Sequence, residues 1–321
     1  MLCVPSRPPT ATWRTVQVEG AAVEVMEVGD GDPLVFLHGW GLTARSYARG
    51  LTRLTSAGLK VIAPSLPGFG ASDPLPVWRS GMREQAARIA AALEAAGLDR
   101  PAFVVGHSFG GGVALQLATD RPDLVRSLTL VNSVGGAPGP GDRMSDRSYL
   151  RWALGAVSEL HPLEVARLAP RALRDFLPSA IRHPLSAAAT AALALRASLA
   201  DEASSLVAEG MPLLLIWSDR DRLVAPGRLG EVAAQLPPEV VRGRHGWLLS
   251  SPRDFAELLR NALVVHAMLE RRERGDVIRL PRGTELRTLI PHERRHRRRS
   301  GSAADRQQPP PARTDEPGAG A

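Results

Sequence analysis

The sequence predicts an α/β fold built on a mainly parallel sheet. Short, continuous apolar runs recur along it, as in strands buried on both faces. Helical patterns fall between those runs. Several runs also end in glycine-rich turns that carry histidine or serine. At 321 residues the chain has room for one large domain or two smaller ones, at about 150 residues each. Its 44% hydrophobic and 23% charged residues are the balance of a globular protein, which excludes a wholly disordered or collagen-like chain.

Residues 1–12 hold three prolines and little apolar pattern and read as a disordered leader. Trp13–Val18 and Val23–Val28 read as strands around a turn at Glu19–Gly20. Pro33–Leu37 ends in His38-Gly39-Trp40-Gly41, and Leu59–Ala63 runs into the loop PSLPGFGASD. Ala102–Val105 ends in Gly106-His107-Ser108-Phe109-Gly110. Leu128–Val131, Leu213–Trp217 and the short Glu239–Val241 complete the strands. Helices are expected over Met82–Ala96, Gly111–Ala118 and Ser251–Leu269, the last opening on Ser251-Pro252 with Phe255, Leu258, Leu259 and Leu263 at helical spacing.

Residues 136–210 break the alternation. After the glycine- and proline-rich Gly135–Gly141, Tyr149, Trp152, Ala153 and Ala156 share a helical face, and Leu163–Leu177 and Leu185–Val207 also read as helical. The segment is expected to be a helical lid between two strands, with 13–135 and 211–270 as the core. Residues 271–321, rich in Arg and Pro, read as a disordered tail.

The formal net charge of +7 sits in that tail. From Arg271 onward 13 arginines face 7 acidic residues, which leaves +1 for residues 1–270. With one lysine, Lys60, against 39 arginines, the basicity reads as coding bias. No aromatic residue interleaves Arg294, Arg295, Arg297, Arg298 and Arg299, so no nucleic-acid partner is expected and the tail is expected to be dispensable for activity. No stretch has the length and apolarity of a membrane span or secretory signal. The single cysteine, Cys3, fits a reducing compartment, and the expected location is cytoplasmic. No metal-ligand cluster or phosphate-binding glycine loop is present, so no cofactor and no metal are expected. The expected partner is a small-molecule substrate, and nothing specifies an oligomeric state.

The chemistry centres on Gly106-His107-Ser108-Phe109-Gly110, a G-x-S-x-G pattern placed after an apolar run and before a helix. A serine on so tight a turn is lifted clear of the sheet, and side chains two residues to either side would collide, so Gly106 and Gly110 leave the room. A serine hydroxyl is a weak nucleophile and needs a base, which itself needs an orienting acid. The chain order Ser, acid, His leaves Asp219 and Asp221 as candidate acids after Leu213–Trp217. His245 is the candidate base, because His266 falls in a helical pattern and His292 and His296 in the tail.

With these residues in view, the chain resembles the α/β-hydrolase superfamily, specifically its lid-bearing serine hydrolases of esterase and carbon–carbon hydrolase type. The matching stretches are FLHGW (36–40), PSLPGFGASD (64–73), VVGHSFGG (104–111), LLLIWSDRDRLVAP (213–226) and RHGWLLSSPRDFAELL (244–259). The resemblance implies an α/β-hydrolase fold with a mostly parallel sheet, a catalytic Ser108, Asp221 and His245, and an oxyanion hole from the backbone N–H groups of Phe109 and Trp40. It leaves Asp219 facing solvent, His38 bracing a loop and His107 in a packing or hydrogen-bonding role. Two departures stand out: Ser218 occupies a position where the family prefers glycine, and the following proline comes one residue late, at Pro226. Serine at 108 argues against the dehalogenases and epoxide hydrolases of the superfamily, which use aspartate there. The expected function is ester hydrolysis through an acyl-enzyme. The alternatives are carbon–carbon bond hydrolysis with the same residues and a slow-turnover ligand-binding protein. Trp152, Leu154, Leu163, Leu168 and Leu177 in the lid suit an apolar substrate.

Overall fold

Alternation within the apolar runs assigns each strand residue to one of two cores. In β3 (Asp32–Leu37) Leu34 and Phe36 enter one core and Val35 and Leu37 the other. In β5 (Ala102–His107) Phe103 and Val105 part from Ala102 and Val104 in the same way. A strand that is apolar on both faces must lie between two helical layers. The computed structural model describes residues 9–136, 170, 173–175, 177–224, 229 and 239–273, and these residues take that arrangement.

The remaining strands are β1 (Thr12–Val18), β2 (Ala21–Val28), β4 (Leu59–Pro64), β6 (Val125–Val131), β7 (Leu213–Ser218) and β8 (Glu239–Val241). Among the described residues they form one sheet, in the order β1-β2-β4-β3-β5-β6-β7-β8. Pairings β1 to β2 and β2 to β4 are antiparallel, and the other five are parallel. Glu19 and Gly20 both have positive φ, 50° and 79°, the signature of the two-residue turn whose twist suits a hairpin.

Helices α1 (Ala44–Leu51), α6 (Trp247–Ser250) and α7 (Pro252–Glu273) cover one face through Tyr47, Leu51, Trp247, Phe255 and Leu259. Helices α2 (Met82–Ala95), α3 (Phe109–Asp120) and α5 (Ala200–Ala208) cover the other through Ile89, Leu93, Val113, Leu117 and Leu206. After β4 the chain crosses to place β5 on the far side of β3. In open parallel sheets a ligand crevice opens at the strands' carboxyl ends beside such a reversal.

The segment with Tyr149, Trp152, Ala153 and Ala156, most of the expected Leu163–Leu177 helix, the leader's first eight residues and the tail beyond Glu273 lie outside the described residues. Residues 173–175 and 177–182 are helical. The helix expected over Leu185–Val207 is two helices, α4 (Pro184–Arg196) and α5. The break has a cause: Ser198 bridges to Gly135 and Gly136, and the Leu199 N–H donates to the Gly135 carbonyl at 2.8 Å, which draws Ala197–Leu199 out of helical geometry. Helix α7 runs to Glu273, past the tail boundary at 271. Helix α1 has no counterpart in the sequence reading. Among the described residues, no helix is long and apolar enough to cross a membrane.

Candidate active site

Only Ser108 separates the end of β5 from the start of α3. It holds φ 54° and ψ −119°, a conformation that costs a non-glycine residue about 1–3 kcal/mol. The turn is clamped around it. The Ser108 N–H donates to the Val131 carbonyl at 3.0 Å, and the Ser108 carbonyl accepts from Gly111 at 2.9 Å and Val134 at 3.1 Å. The flanking glycines are required by close approach. A Cβ on Gly106 would stand 2.5 Å from the Gly110 carbonyl oxygen, and one on Gly110 would meet the Leu37 and His38 carbonyl oxygens.

His245 lies in the turn between β8 and α6 and meets Ser108 with Nε2 2.9 Å from Ser108 Oγ. Its Nδ1 is 2.7 Å from Asp221 Oδ2. An ionised carboxylate only accepts, so Nδ1 carries the proton and Nε2 presents its lone pair to the serine hydroxyl. Asp221 Oδ1 is held by the Leu223 and Val224 N–H groups at 2.9 and 3.0 Å. The Asp221 side chain is 1% exposed and that of His245 12%.

Asp219 does not reach His245. It is exposed, as expected, and it also has a structural partner: Oδ1 accepts the Gly243 N–H at 2.9 Å, tying the end of β7 to the turn that carries His245. Ser218 is buried, and its departure from glycine is used. Its N–H donates to Asn132 Oδ1 at 3.0 Å, while its hydroxyl accepts from Asn132 Nδ2 at 2.5 Å and donates to the Arg244 carbonyl at 3.3 Å. Pro226 lies outside the described residues.

Phe109 opens α3, in the first turn, whose N–H groups have no acceptor within the helix and favour negative charge. Trp40 follows β3 by three residues, and its indole Nε1–H donates to Thr190 on α4 at 3.1 Å. His38 braces this loop. Its Nε2 accepts the Leu66 N–H at 2.8 Å, so Nδ1 carries the proton and donates to the Gly39 carbonyl at 2.9 Å. Burial pushes the His38 pKa down to about 4 and keeps the ring neutral. His107 is likewise buried, and burial followed by the neighbouring His245 holds its pKa well below the ordinary value. Its Nε2 is 3.2 Å from the His245 carbonyl and its Nδ1 2.9 Å from the Tyr47 hydroxyl. Of the apolar lid residues expected to face substrate, Leu177 is 45% exposed; Trp152, Leu154, Leu163 and Leu168 lie outside the described residues.

The structure therefore brings Ser108, His245 and Asp221 together at the carboxyl ends of β5, β8 and β7, with Trp40 beyond β3 and Phe109 at the head of α3. Sequence reasoning passed over Tyr47, Asn132 and Thr190. None sits in a spacing pattern, and only the fold brings them near the site.

The sequence profile of the α/β-hydrolase fold family matches residues 32–191. The chain is 30% identical over 270 residues to the dihydrolipoyllysine-residue acetyltransferase component of the acetoin cleaving system from Cupriavidus necator, covering 79% of this chain and 69% of that protein. It is 36% identical over 124 residues to a 2-hydroxy-6-oxo-2,4-heptadienoate hydrolase from Pseudomonas putida, a match spanning 38% of this chain and 45% of the relative. Among solved structures, a thermophilic esterase from Thermogutta terrifontis shares the fold with a TM-score of 0.60 at 20% identity, over 80% of this chain and 99% of the esterase. With the sheet order, the turn at Ser108 and these likenesses together, the chain belongs to the α/β-hydrolase fold family.

Proposed function

We propose that this protein is a serine hydrolase that works through an acyl-enzyme on carboxylic esters of small to medium apolar substrates. The observation that carries the reading is the pair of short contacts from Ser108 Oγ to His245 Nε2, 2.9 Å, and from His245 Nδ1 to Asp221 Oδ2, 2.7 Å. His245 Nε2 takes the serine proton as Oγ attacks the ester carbonyl carbon. The carbonyl oxygen becomes an oxyanion held by the N–H groups of Phe109 and Trp40. His245 then passes the proton to the departing alkoxide and leaves an acyl-Ser108. Water repeats the cycle: His245 takes its proton, hydroxide adds to the acyl carbon, and Ser108 leaves with the proton from His245. Asp221 keeps the productive tautomer and stabilises the imidazolium in both halves. The ring of Trp40 against Phe69, 6.4 Å between centroids, and the alanine-rich α4 beside Trp40 favour apolar substrates.

The likeness to the Pseudomonas putida hydrolase favours a second reading, cleavage of a carbon–carbon bond next to a ketone by the same three side chains. A panel of p-nitrophenyl esters of graded chain length, run beside a vinylogous diketone, separates the two. The first reading expects ester turnover and labelling of Ser108 by a fluorophosphonate, both abolished in Ser108→Ala. Turnover of the diketone alone would select the second, and labelling that survives Ser108→Ala would overturn both.

A further inference from the structure

The loop that carries Trp40 and the turn that carries His245 come from strands β3 and β8, four positions apart in the sheet. A chain of side-chain hydrogen bonds joins them. We propose that Tyr47 and His107 form a hydrogen-bond relay that sets the His245 turn against the Gly39–Trp40 loop, which makes both of them positioning residues for the reaction at Ser108. The proposal rests on the reading of Ser108, Asp221 and His245 given above.

The direction of every proton in the relay follows from its ends. The His245 carbonyl can only accept, so His107 Nε2, 3.2 Å away, carries the ring proton. In a neutral ring Nδ1 is then the acceptor, and the Tyr47 hydroxyl donates to it at 2.9 Å. The freed lone pair of the Tyr47 oxygen accepts the Gly39 N–H at 3.2 Å. Burial favours each required form. Tyr47 and His107 are 3% and 2% exposed, the phenol pKa is raised by burial, and the imidazole stays neutral beside Tyr47, His38 and the His245 ring, whose centroid is 5.0 Å away.

The consequence falls on Trp40. Gly39 is held at its N–H by Tyr47 and at its carbonyl by His38 Nδ1 and the Leu42 N–H. The carbonyl of Gly39 and the N–H of Trp40 belong to one planar peptide, so fixing the first aims the second. Glycine at 39 is part of the device: a Cβ there would stand 2.9 Å from His107 Nδ1 and 3.3 Å from the Tyr47 oxygen. A displacement of the base turn is thus transmitted to the proposed oxyanion donor.

The test uses the full chain with Tyr47→Phe, His107→Leu, His107→Gln and Ser108→Ala, p-nitrophenyl butyrate as substrate and a fluorophosphonate as label. Tyr47→Phe and His107→Leu should each lower kcat about 10–100-fold, the effect of one buried polar group losing its partner at a site of charge development. KM should stay within about twofold, because the loss falls on the transition state, and Ser108 labelling should slow but reach completion. His107→Gln keeps an acceptor and a donor on one planar group and should recover most of kcat, a rescue that packing alone does not provide. Wild-type kcat in Tyr47→Phe and His107→Leu, or a His107→Gln variant no better than His107→Leu with losses that follow the thermal midpoint, would overturn the relay. Turnover by Ser108→Ala would overturn the underlying reading and the relay with it, and is told apart because only that variant lacks the nucleophile.

Discussion

Asn132 grips Ser218 with both ends of its amide: Oδ1 accepts the Ser218 N–H at 3.0 Å and Nδ2 donates to the Ser218 hydroxyl at 2.5 Å. The backbone N–H needs an acceptor, so the amide has one orientation. Asn132 is fully buried and holds φ 44°, a region that asparagine tolerates better than most residues. Nδ2 also lies 3.4 Å from the His245 carbonyl, and Ser218 Oγ donates to the Arg244 carbonyl. The pair therefore ties the ends of β6 and β7 to the turn that carries His245. Ser218→Gly removes the hydroxyl that links Asn132 Nδ2 to the Arg244 carbonyl, which keeps the Trp247 N–H at 3.1 Å, a loss of about 0.5–1.5 kcal/mol. We expect a lower thermal midpoint and a kcat reduced several-fold, with Asn132→Ala worse on both counts. Unchanged melting and turnover in Ser218→Gly would show that the link does not hold the turn.

The two aspartates after β7 should separate sharply. The Asp221 carboxylate meets His245 Nδ1, whereas the Asp219 carboxylate accepts the Gly243 N–H. Asp221→Asn favours the wrong imidazole tautomer, and a loss of about 10⁴ in kcat is expected. Asp219→Asn retains a carbonyl oxygen that can accept from Gly243, so its kcat should fall by less than about threefold. Steady-state kinetics on one ester decides this; equal losses would sink the assignment of Asp221.

Strain at position 108 makes a prediction of opposite sign for activity and stability. Glycine adopts φ 54° without the penalty that serine carries. Ser108→Gly should abolish turnover and raise stability by up to about 1–3 kcal/mol, less the lost Oγ contact with His245. Gly110→Ala should lower stability, because the added Cβ would stand 2.4 Å from the Leu37 and 2.5 Å from the His38 backbone oxygen. Denaturant titration of the two variants beside the parent checks both. A Ser108→Gly protein less stable than the parent would contradict the strain.

Buried His38 should make stability depend on pH. Its folded pKa is about 4 against an ordinary 6.5, so between those values the unfolded chain binds more protons than the folded one. Stability then rises with pH across that window and falls as pH drops through it, by at most about 1.4 kcal/mol per pH unit for one such group. His107, depressed in the same direction, adds to the slope. Urea midpoints measured between pH 6.5 and 5 should decline, and His38→Gln should flatten the decline. Equal slopes in the parent and the variant would show that His38 does not titrate on unfolding.

The strands of the core and the turn at Ser108 were legible in the sequence because they obey local rules. An apolar run of five residues needs two covering layers wherever it lies, and Gly106 and Gly110 are dictated by atoms within a few residues of Ser108 and by the neighbouring strand it must pass. Asp221 and His245 were found through chain order and resemblance, which place residues at strand ends without fixing their distances. What only the tertiary structure decided has no local pattern. Helix α1 delivers Tyr47 to His107 across 60 residues, Asn132 meets Ser218 across 86, and Trp40 meets Thr190 across 150. The break between α4 and α5 depends on Gly135, far along the chain from Ser198. Such contacts pair groups whose partners are chosen by how strands and helices stack. A single buried asparagine, tyrosine or threonine looks the same in sequence whether its partner is the solvent or the loop that carries His245.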